Sequence, residues 1–489
     1  MVSASHFLAL RIWLISAVSR WAKFIEDTNP SLSTTLPQRP AKAAQDEGGS
    51  FEIGLENTDN GVVCRFPPEP SGLLHIGHVK ALVLNNYFAH ERYKGTLILR
   101  FDDTNPVKEK LEFQNAIIED IALMGITPDR TTFTSDYFQE LYDYCVQMIK
   151  EGTAYADDTE QEEMRRQRMD GLPSKRRNES PEESLKRFEE MKTGSEEGQR
   201  WCIRAKISID DPNKALRDPV IYRCNPQPHH RTGATWKVYP TYDFCCPIVD
   251  SIEGVTHALR TTEYKDRDAQ YQWILKALRL RHVYNWDFNR LNFIRTLLSK
   301  RKLGMFVESG MTRGWDDPRM PTVRGIRRRG CTMEALREFI LKQGPSKNIV
   351  LLQWDSFWAT NKKVIDQIAG RYTAIEATDR VPVKVIGAPK APRTEMKELH
   401  AKRDLGKKKV IFSENVIIEQ ADAASFEQDE EITLMNWGNA IVRKISHSIN
   451  PLHPKLVTGI EMELHLQGDV KKTKKKITWY ALRFLLCQS

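Results

Sequence analysis

The chain has 489 residues, which is enough for several domains, and no stretch reaches the roughly 20 consecutive apolar residues that a membrane span requires. Its net charge is +8, and basic residues are concentrated in two runs, 324–329 and 471–476. Such clusters are typical of a surface that meets a nucleic-acid backbone, although a solvated face gives the same pattern. The 8 cysteines form no CxxC pair, which favours a reducing compartment and predicts no zinc site.

The first fifty residues combine an apolar stretch with a composition typical of a linker. Residues 6–18 imitate the core of a signal peptide, but Arg11 interrupts them and no basic segment precedes them. No acidic residue occurs before Glu26, so an organellar presequence stays open as an alternative. Residues 31–50 are rich in Ser, Thr, Pro, Ala and Gly, and this composition predicts a flexible linker.

A β-loop-α-β unit is predicted between residues 62 and 101. Residues 62–66 and 96–101 are short apolar runs typical of buried strands, and residues 73–93 predict a long helix that stops before Gly95. A single helical crossover makes the two strands parallel and the connection right-handed. Ligands of such sheets bind beyond the carboxyl ends of the strands, where the loop before the helix lies.

The start of this helix carries His75 and His78, with Gly77 between them. Positions three apart share one helix face, and the free N–H groups and dipole of a first helical turn favour a phosphate. Gly77 leaves the backbone bare, which lets a flat ring pack against it. Taken alone, however, two histidines at this spacing are more often surface or capping residues.

The remaining chain is predicted to change from helical to β structure. Residues 157–198 are highly charged and helical in character, with a disordered loop as the alternative, and residues 306–380 alternate Gly and Pro turns with helical patterns. From residue 381 the apolar pattern has a period of two, which predicts strands. The predicted strands are residues 381–386, 409–419, 431–445, 456–466 and 476–481.

Three segments together resemble the signatures of one family. Residues 65–78 read RFPPEPSGLLHIGH, residues 100–106 read RFDDTNP and residues 298–303 read LSKRKL. These segments resemble class I aminoacyl-tRNA synthetases of the glutamyl/glutaminyl group, in their archaeal and eukaryotic cytosolic version. The resemblance extends from about residue 51 to about residue 480. In one departure, Leu297 and Leu298 occupy the first two positions of a Lys-Met-Ser-Lys-Ser pattern, whose second lysine is Lys300.

The resemblance implies an α/β fold with four parts. These are a class I synthetase Rossmann-type catalytic domain, an inserted acceptor-binding domain, a helical stem-contact segment and a C-terminal β-barrel anticodon-binding region. The implied boundaries are 51–305 for the catalytic domain, 157–235 for the insertion, 306–380 for the stem-contact segment and 381–489 for the β-barrel region, which looks truncated. Residues 1–30 resemble the end of a glutathione-transferase-like domain, through which a multi-synthetase or scaffold partner is implied to bind.

The resemblance also implies the chemistry and the residues that perform it. An amino-acid carboxylate attacks the α-phosphate of ATP, with Mg²⁺ on the pyrophosphate, and the activated amino acid passes to the 3′ end of a tRNA. The implied catalytic residues, which meet charge developing on the phosphates, are His75, His78 and Lys300. The implied ATP site comprises Glu69, Pro70, Ser71, His75, Gly77, His78, Thr261, Arg290, Leu291, Leu298, Ser299 and Lys300. The implied amino-acid site comprises Arg65, Asp102, Tyr242 and Arg260, and no protein ligand for a metal is implied.

Arg260 is the residue that separates glutamate from glutamine. The glutaminyl enzymes that this segment resembles carry a small neutral residue there. A buried γ-carboxylate needs a partner and a guanidinium offers a planar one, whereas a neutral amide would leave the guanidinium unpaired. We therefore expect a cytoplasmic ligase that joins L-glutamate to tRNA(Glu). The alternatives are a glutaminyl enzyme and a catalytically impaired tRNA-binding scaffold, and the intact His75, His78, Asp102 and Lys300 argue against the scaffold.

Overall fold

The computed structural model describes residues 54–348, 350–450 and 455–482. The predictions made for residues 1–30 and 31–50 lie outside these described residues. No helix within the described ranges is both long enough and apolar enough to cross a lipid bilayer. The chain builds a parallel α/β region, an antiparallel unit, a helical segment and a C-terminal β region, in that order.

The first region contains the predicted β-loop-α-β unit. Its three strands pair in parallel in chain order, which confirms the predicted parallel crossover. The strands are β1 (Val63–Phe66), β2 (Thr96–Phe101) and β3 (Arg130–Phe133). The two connecting helices are α1 (Ile76–Asn86) and α2 (Leu111–Leu123).

Helix α1 begins later than the predicted residue 73. The backbone before it is extended because it pairs with a distant segment: Ile76 N–H donates to Pro321 O at 3.0 Å, and Val323 N–H donates to Leu74 O at 2.9 Å. His75 is therefore the N-cap, with φ −102° and ψ 166°. After α1 the chain continues as a π-helix from Tyr87 to Arg92, where the predicted helix has its last turns.

Residues 134–241 form the antiparallel unit. Its sheet has the strands in chain order, and every neighbouring pair is antiparallel. The strands are β4 (Ala154–Asp157), β5 (Cys202–Ala205), β6 (Val220–Cys224) and β7 (Val238–Pro240). The helices are α3 (Phe138–Lys150), α4 (Gln161–Asp170), α5 (Pro181–Thr193) and α6 (Glu196–Gln199). The charged stretch 157–198 is thus helical rather than a disordered loop.

The chain then returns to the parallel region. The elements are α7 (Tyr242–Ile252), β8 (His257–Thr261), α8 (Asp268–Ala277), β9 (Tyr284–Phe288) and β10 (Asn292–Phe293). Strands β8 and β9 are parallel to each other. Strand β8 also lies beside β1 in the same direction, because Thr256 N–H donates to Val63 O at 3.0 Å and the Arg65 side chain reaches Leu259 O at 3.0 Å. The carboxyl ends of β1, β2 and β8 therefore lie on one side.

The helical segment packs directly on the parallel region. It consists of α9 (Lys300–Glu308), α10 (Val323–Arg328), α11 (Met333–Gln343), β11 (Leu351–Leu352) and α12 (Trp354–Ile368), and β11 pairs with β10. Val323, Phe339 and Phe357 belong to the same hydrophobic core as Ile76 and Val79 of α1. Burial of these large side chains fixes α10 against the start of α1.

The C-terminal region is a curled seven-stranded sheet with a separate hairpin. The strands are β12 (Val381–Ile386), β13 (Arg393–Glu398), β14 (Lys407–Phe412), β15 (Asn415–Ile418), β16 (Glu431–Leu434), β17 (Gly438–His447), β18 (Val457–His465), β19 (Lys476–Ile477) and β20 (Tyr480–Ala481); α13 is Gln420–Ala423. The sheet order is β19-β16-β17-β18-β12-β15-β20, and β13 pairs with β14. The period-two apolar pattern did not predict β13, because its residues are largely exposed and lack apolar alternation.

Candidate active site

The two histidines cap the start of α1. His75 Nδ1 accepts hydrogen bonds from the N–H groups of Gly77, at 3.1 Å, and His78, at 3.3 Å. His78 Nδ1 in turn accepts from the N–H of His75 at 3.3 Å, and the two rings stack with centroids 3.6 Å apart. The capping interpretation of these residues is therefore correct. It is also compatible with a phosphate site, because the cap uses only one nitrogen of each ring.

The cap determines which nitrogen of each ring carries the proton. An Nδ1 that accepts hydrogen bonds is unprotonated, so the N–H of the neutral ring is at Nε2. Burial and the charge of Lys300 lower the pKa of His75 to about 3, and burial and the neighbouring His75 lower the pKa of His78 well below its ordinary value. Both rings are thus neutral near pH 7, and no described residue accepts a hydrogen bond from either Nε2–H.

Lys300 lies across the loop that precedes α1. Its Nζ donates to Glu69 O at 2.7 Å, and its Cδ would lie 3.7 Å from a Cβ added to Gly72. Burial lowers the pKa of Lys300 to about 8. Because an ammonium has three donors and Glu69 takes one, two remain. The Lys300 charge acts on both histidine rings, so the three predicted catalytic side chains lie together.

Two other residues predicted to line an ATP site, Arg290 and Leu298, lie close to the histidines. The charge of Arg290 also lowers the pKa of His75, and Arg290 pairs with Glu263 at 2.7 Å. A Cβ on Gly77 would lie 2.8 Å from His75 Cε1 and 3.9 Å from Leu298 Cδ1. The His75 ring therefore covers this side of Gly77, and the expectation of a bare backbone there is wrong. The remaining residues of this set are Pro70 and Ser71 in the loop, Thr261 at the end of β8, Leu291 in the core, and Ser299 as the N-cap of α9.

Asp102 provides a carboxylate at the end of β2. Its side chain is partly buried and accepts a hydrogen bond from Thr104 Oγ1 at 3.1 Å, and no described basic side chain pairs with it. Burial, and then the nearby carboxylates of Glu109, Asp103 and Glu69, raise the pKa of Asp102 to about 7. A carboxylate in such surroundings is stabilised by a cation, so Asp102 suits a primary ammonium group.

Arg65 is buried in contacts with its own protein. Its Nε donates to Asp250 Oδ1 at 3.0 Å, and its Nη1 donates to Leu259 O at 3.0 Å. Its Nη2 has Cys246 Sγ at 3.5 Å as a weak partner. These contacts agree with the alternative that Arg65 is a strand-end ion pair, and its predicted contact with a substrate stays a prediction.

Arg260 is a buried guanidinium with few partners. It is 5% exposed, and its Nε and Nη1 have no hydrogen-bond partner among the described residues. The nearest carboxylate oxygen in an ion pair is Asp268 Oδ1, 3.6 Å from Nη1. The guanidinium lies over the rings of Tyr264, at 4.9 Å, and Tyr271, at 5.3 Å. Buried donors without acceptors are costly, so this site suits an anion.

Tyr242 and Tyr264 complete the surroundings of Arg260. Their rings are 5.5 Å apart, and Arg260 and Arg65 both act on the phenol of Tyr242. Burial raises the pKa of Tyr242 well above its ordinary value, so the ring stays neutral. Tyr242 was predicted from the sequence and Tyr264 was not, although Tyr264 lies only four residues after Arg260, in the short 3-10 helix Thr262–Arg267 that follows β8.

A buried cluster of potential metal ligands was also missed. Among the described residues, Glu109, His229 and His230 bring one ligand atom each within 4.8 Å of one another. His229 is committed elsewhere, because its Nε2 lies 2.8 Å from Asp103 O and its Nδ1 accepts from the N–H of Arg231 at 3.2 Å. With Nδ1 accepting, Nε2 carries the proton and offers no lone pair to a metal. These contacts instead join the loop after β6 to the end of β2.

Comparisons with known proteins agree with this geometry. Residues 61–367 match the family described as "tRNA synthetases class I (E and Q), catalytic domain", and residues 369–456 match "tRNA synthetases class I (E and Q), anti-codon binding domain". The first match alone spans more than half of the chain. The fold and the site therefore define a class I tRNA synthetase. Within that class, the chain belongs to the E and Q family, the glutamyl and glutaminyl enzymes.

Several relatives show how the chain compares in length. It is 57% identical over 471 residues to "Probable glutamate--tRNA ligase, cytoplasmic" of Schizosaccharomyces pombe, a match that covers 95% of this chain and 65% of that protein. It is 55% identical over 478 residues to "Glutamate--tRNA ligase, cytoplasmic" of Saccharomyces cerevisiae, covering 95% and 66%. A "Bifunctional glutamate/proline--tRNA ligase" of Drosophila melanogaster is 51% identical, covering 92% and 26%. The chain thus spans slightly less than two thirds of its first two relatives.

Proposed function

We propose that this chain activates L-glutamate with ATP and transfers it to tRNA(Glu) for protein synthesis. The observation that carries the proposal is the buried Arg260 guanidinium, whose Nε and Nη1 have no partner among the described residues. A γ-carboxylate provides two oxygens in the plane that a guanidinium prefers. Glutamine would present an amide instead and leave the positive charge unpaired. The names of the relatives support the same substrate and a cytoplasmic location.

The amino acid is oriented by opposite charges at its two ends. Asp102 accepts hydrogen bonds from the α-ammonium group. The positive charge of that group offsets the repulsion between the Asp102 carboxylate and the neighbouring carboxylates. Arg260 binds the γ-carboxylate, and Tyr242 lines the space between them. Arg65 is also assigned to the substrate site, and Nη2 is the nitrogen left to contact the substrate, because Nε and Nη1 are already bonded and Nη2 has only the weak acceptor Cys246 Sγ at 3.5 Å.

Activation requires no covalent enzyme intermediate. An oxygen of the glutamate α-carboxylate attacks the α-phosphorus of ATP, the bond to the bridging oxygen breaks, and pyrophosphate leaves with that electron pair. The Nε2–H groups of His75 and His78 donate to the phosphate oxygens, and the free donors of Lys300 meet the charge that builds up as pyrophosphate leaves. An exchange assay follows the reverse of this step, in which labelled pyrophosphate is incorporated into ATP.

Mg²⁺ fits this site as a companion of the nucleotide. When bound, it would neutralise negative charge on the phosphates of ATP. The side chains that act on His75, namely Lys300 and Arg290, carry nitrogen donors and do not bind a cation. The nearby acid is Glu69, whose charge acts on Lys300. A set of this kind does not form an oxygen cage, and Mg²⁺ commonly binds through phosphates and water with one or two carboxylates. Although the sequence predicted no protein ligand for a metal, Glu69 is the carboxylate that would hold Mg²⁺ here.

The second substrate is a tRNA. In the transfer step the 2′-OH of its terminal ribose attacks the mixed anhydride, and AMP leaves. A polar cleft of about 980 Å³ lies between the antiparallel unit and the start of α7. Its lining has more basic than acidic side chains: the basic ones are Arg165, Arg168, Lys214, Arg223 and Arg267, and the acidic ones are Asp243, Glu263 and Asp266. A cleft of this charge suits the acceptor end of an RNA. We keep residues 157–235 as the acceptor-binding insertion, 306–380 as the stem-contact segment, and 381–489 as the anticodon region.

The proposal is tested by ATP–pyrophosphate exchange with the full chain. Glutamate and glutamine are compared as substrates, each with and without tRNA(Glu), because the glutamyl enzymes that the chain resembles need tRNA to activate their amino acid. We expect tRNA-dependent exchange with glutamate, and kcat/KM for glutamine lower by about 100-fold or more. Preference for glutamine would instead make the chain a glutaminyl enzyme. Binding of tRNA without exchange for either amino acid would make it a scaffold.

A further inference from the structure

A single buried carboxylate holds the groups behind Arg260. Asp250 is 0% exposed, on α7, and its Oδ1 accepts from Arg65 Nε at 3.0 Å and from Arg100 Nη2 at 2.5 Å. Its Oδ2 accepts from the hydroxyl of Tyr271 at 2.7 Å. The two guanidinium groups lower the pKa of Asp250 to about 2, so the carboxylate is charged throughout the working pH range. Asp250 thus connects β1, β2 and α8.

Two of these contacts lead on to Arg260. Through the first, Asp250 fixes Arg65, whose Nη1 donates to the carbonyl of Leu259 at 3.0 Å, and Leu259 directly precedes Arg260. Through the second, Asp250 fixes the hydroxyl of Tyr271, and the Tyr271 ring lies 5.3 Å from the Arg260 guanidinium. The backbone and the side chain of Arg260 are therefore both in contact with groups that Asp250 orients.

Arg260 depends on these contacts because little else directs it. Two of its nitrogens have no hydrogen bond, and its ion-pair oxygen on Asp268 is 3.6 Å away. Asp268 itself pairs with Lys265 at 3.2 Å. A guanidinium without directional hydrogen bonds takes its orientation from the rings and the backbone around it.

Glu253 provides a comparison, because it lies about one helical turn after Asp250, at the C-cap of α7. It is also buried, and its Oε2 accepts from Arg100 Nη1 at 2.9 Å. Its Oε1 accepts from Tyr137 at 3.2 Å. No described contact joins Glu253 to Arg65, Tyr271 or the β8 backbone. Loss of either carboxylate leaves buried arginine charge, but only Asp250 contacts the groups that surround Arg260.

We propose that Asp250 is a positioning residue for substrate choice, which holds the Arg260 guanidinium in the orientation that distinguishes a γ-carboxylate from an amide. This inference rests on the proposed activation of glutamate. It differs from a structural role, because it concerns the ratio between two substrates and not only the amount of active protein.

The first experiment measures kcat/KM for glutamate and for glutamine in the tRNA-dependent exchange assay. In Asp250→Asn the preference for glutamate is expected to fall by about tenfold or more, since small misplacements of a recognition group have effects of this size. Tyr271→Phe removes only the hydroxyl and is expected to give a smaller fall in the same direction. Glu253→Gln, the matched control, is expected to lose stability while it keeps the parent preference within about twofold.

An unchanged preference in folded Asp250→Asn would overturn the inference. If Asp250→Asn does not fold, Tyr271→Phe decides, and a preference equal to that of the parent overturns the inference. A fall of equal size in Glu253→Gln would also overturn it, because the effect would then follow from any buried charge.

A crystal structure separates this inference from the proposed function. If the parent chain activates neither amino acid, the proposed function fails. The positioning role is then still tested by comparing the position of the Arg260 guanidinium in crystal structures of Tyr271→Phe and of the parent. Displacement of the guanidinium from the Tyr271 ring supports the positioning role. An unmoved guanidinium overturns it, whatever the activity of the chain.

Discussion

The phosphate side and the amino-acid side of the site are held in different ways. On the phosphate side, side chains bond to backbone groups: His75 Nδ1 accepts from the N–H groups of its own helix, and Lys300 Nζ donates to the Glu69 carbonyl. On the amino-acid side, buried charges hold one another, as in the pairing of Arg65 with Asp250. Backbone partners stay in place when a side chain changes, whereas loss of one buried charge leaves its partner uncompensated.

The two sides should therefore respond differently to substitution. On the phosphate side, we expect changes in rate with small changes in stability. On the amino-acid side, we expect changes in substrate preference, accompanied by loss of stability wherever a buried ion pair is broken. Substitutions at Lys300, Arg260 and His75 test this difference.

Lys300→Ala should have a large effect on rate. The free donors of Lys300 meet charge that exists only in the transition state, so adenylate formation should fall by about 100-fold or more while ATP affinity changes little. Stability should change little as well, because burial already disfavours the charged form of Lys300. Exchange rates and melting curves check both points. Lys302→Ala, an exposed lysine on the same helix, is the control, and a near-parent rate for Lys300→Ala would contradict the assignment.

Arg260→Cys should change preference more than any other single substitution in the pocket. Without the guanidinium the γ-carboxylate lies unpaired, so kcat/KM for glutamate should fall by about 100-fold and the preference over glutamine should narrow. The exchange assay with both amino acids measures this. Arg279→Cys is the control, because Arg279 is 76% exposed and pairs with Glu151 at 3.3 Å. A variant that keeps the full parent preference would show that Arg260 is not the discriminator.

The difference between the phosphate side and the amino-acid side also explains which parts of the site could be predicted from the sequence. The β1–α1–β2 unit and the histidines at its helix start depend on residues close in sequence, so their pattern is visible there. The amino-acid side joins residues that are far apart, such as Arg65 and Asp250, 185 positions away. Arg260 was predicted only because the surrounding segment resembles a family. Asp250 and Tyr271 have no local signal, because a buried aspartate and a buried tyrosine on helices look like ordinary helix residues until their partners are known.

The helix cap shows a different limit of sequence reasoning. The sequence posed capping and phosphate binding as alternatives for His75 and His78, whereas the structure makes them compatible. Bonds from backbone N–H groups to Nδ1 leave the proton on Nε2, and this tautomer is the one that donates outward. Only the geometry of the ring nitrogens reveals this, because the sequence does not specify which nitrogen faces the backbone.

Two substitutions at His75 separate its two roles. His75→Ala loses the cap and the Nε2 donor, so it should lose about 1 kcal/mol of stability and reduce activation by about 10- to 1000-fold. His75→Asn keeps an oxygen that can accept from the helix N–H groups but has no donor in the Nε2 position. His75→Asn should therefore be as stable as the parent, whereas its activation rate should stay as low as that of His75→Ala. Recovery of both properties in His75→Asn would show that the imidazole serves only as a cap.

The pH profile should show the smallest effect and involve both sides of the site. Burial and neighbouring carboxylates raise the pKa of Asp102 to about 7, so below that pH it is protonated and cannot pair with the ammonium group of the substrate. Burial lowers the pKa of Lys300 to about 8, so above that pH its charge is lost. We therefore expect kcat/KM to be highest between about pH 7 and pH 8 and to fall several-fold one unit beyond either limit.

Each limb of this profile can be assigned with one substitution. Lys300→Arg keeps a positive charge at all accessible pH values, so the fall above pH 8 should disappear while the fall below pH 7 remains. Asp102→Asn should lower activity with glutamate and remove the acidic limb. His75 and His78 contribute to neither limb, because their pKa values lie well below this range. An alkaline limb that persists in Lys300→Arg would belong to another group, and the charge of Lys300 would then not control the phosphate side.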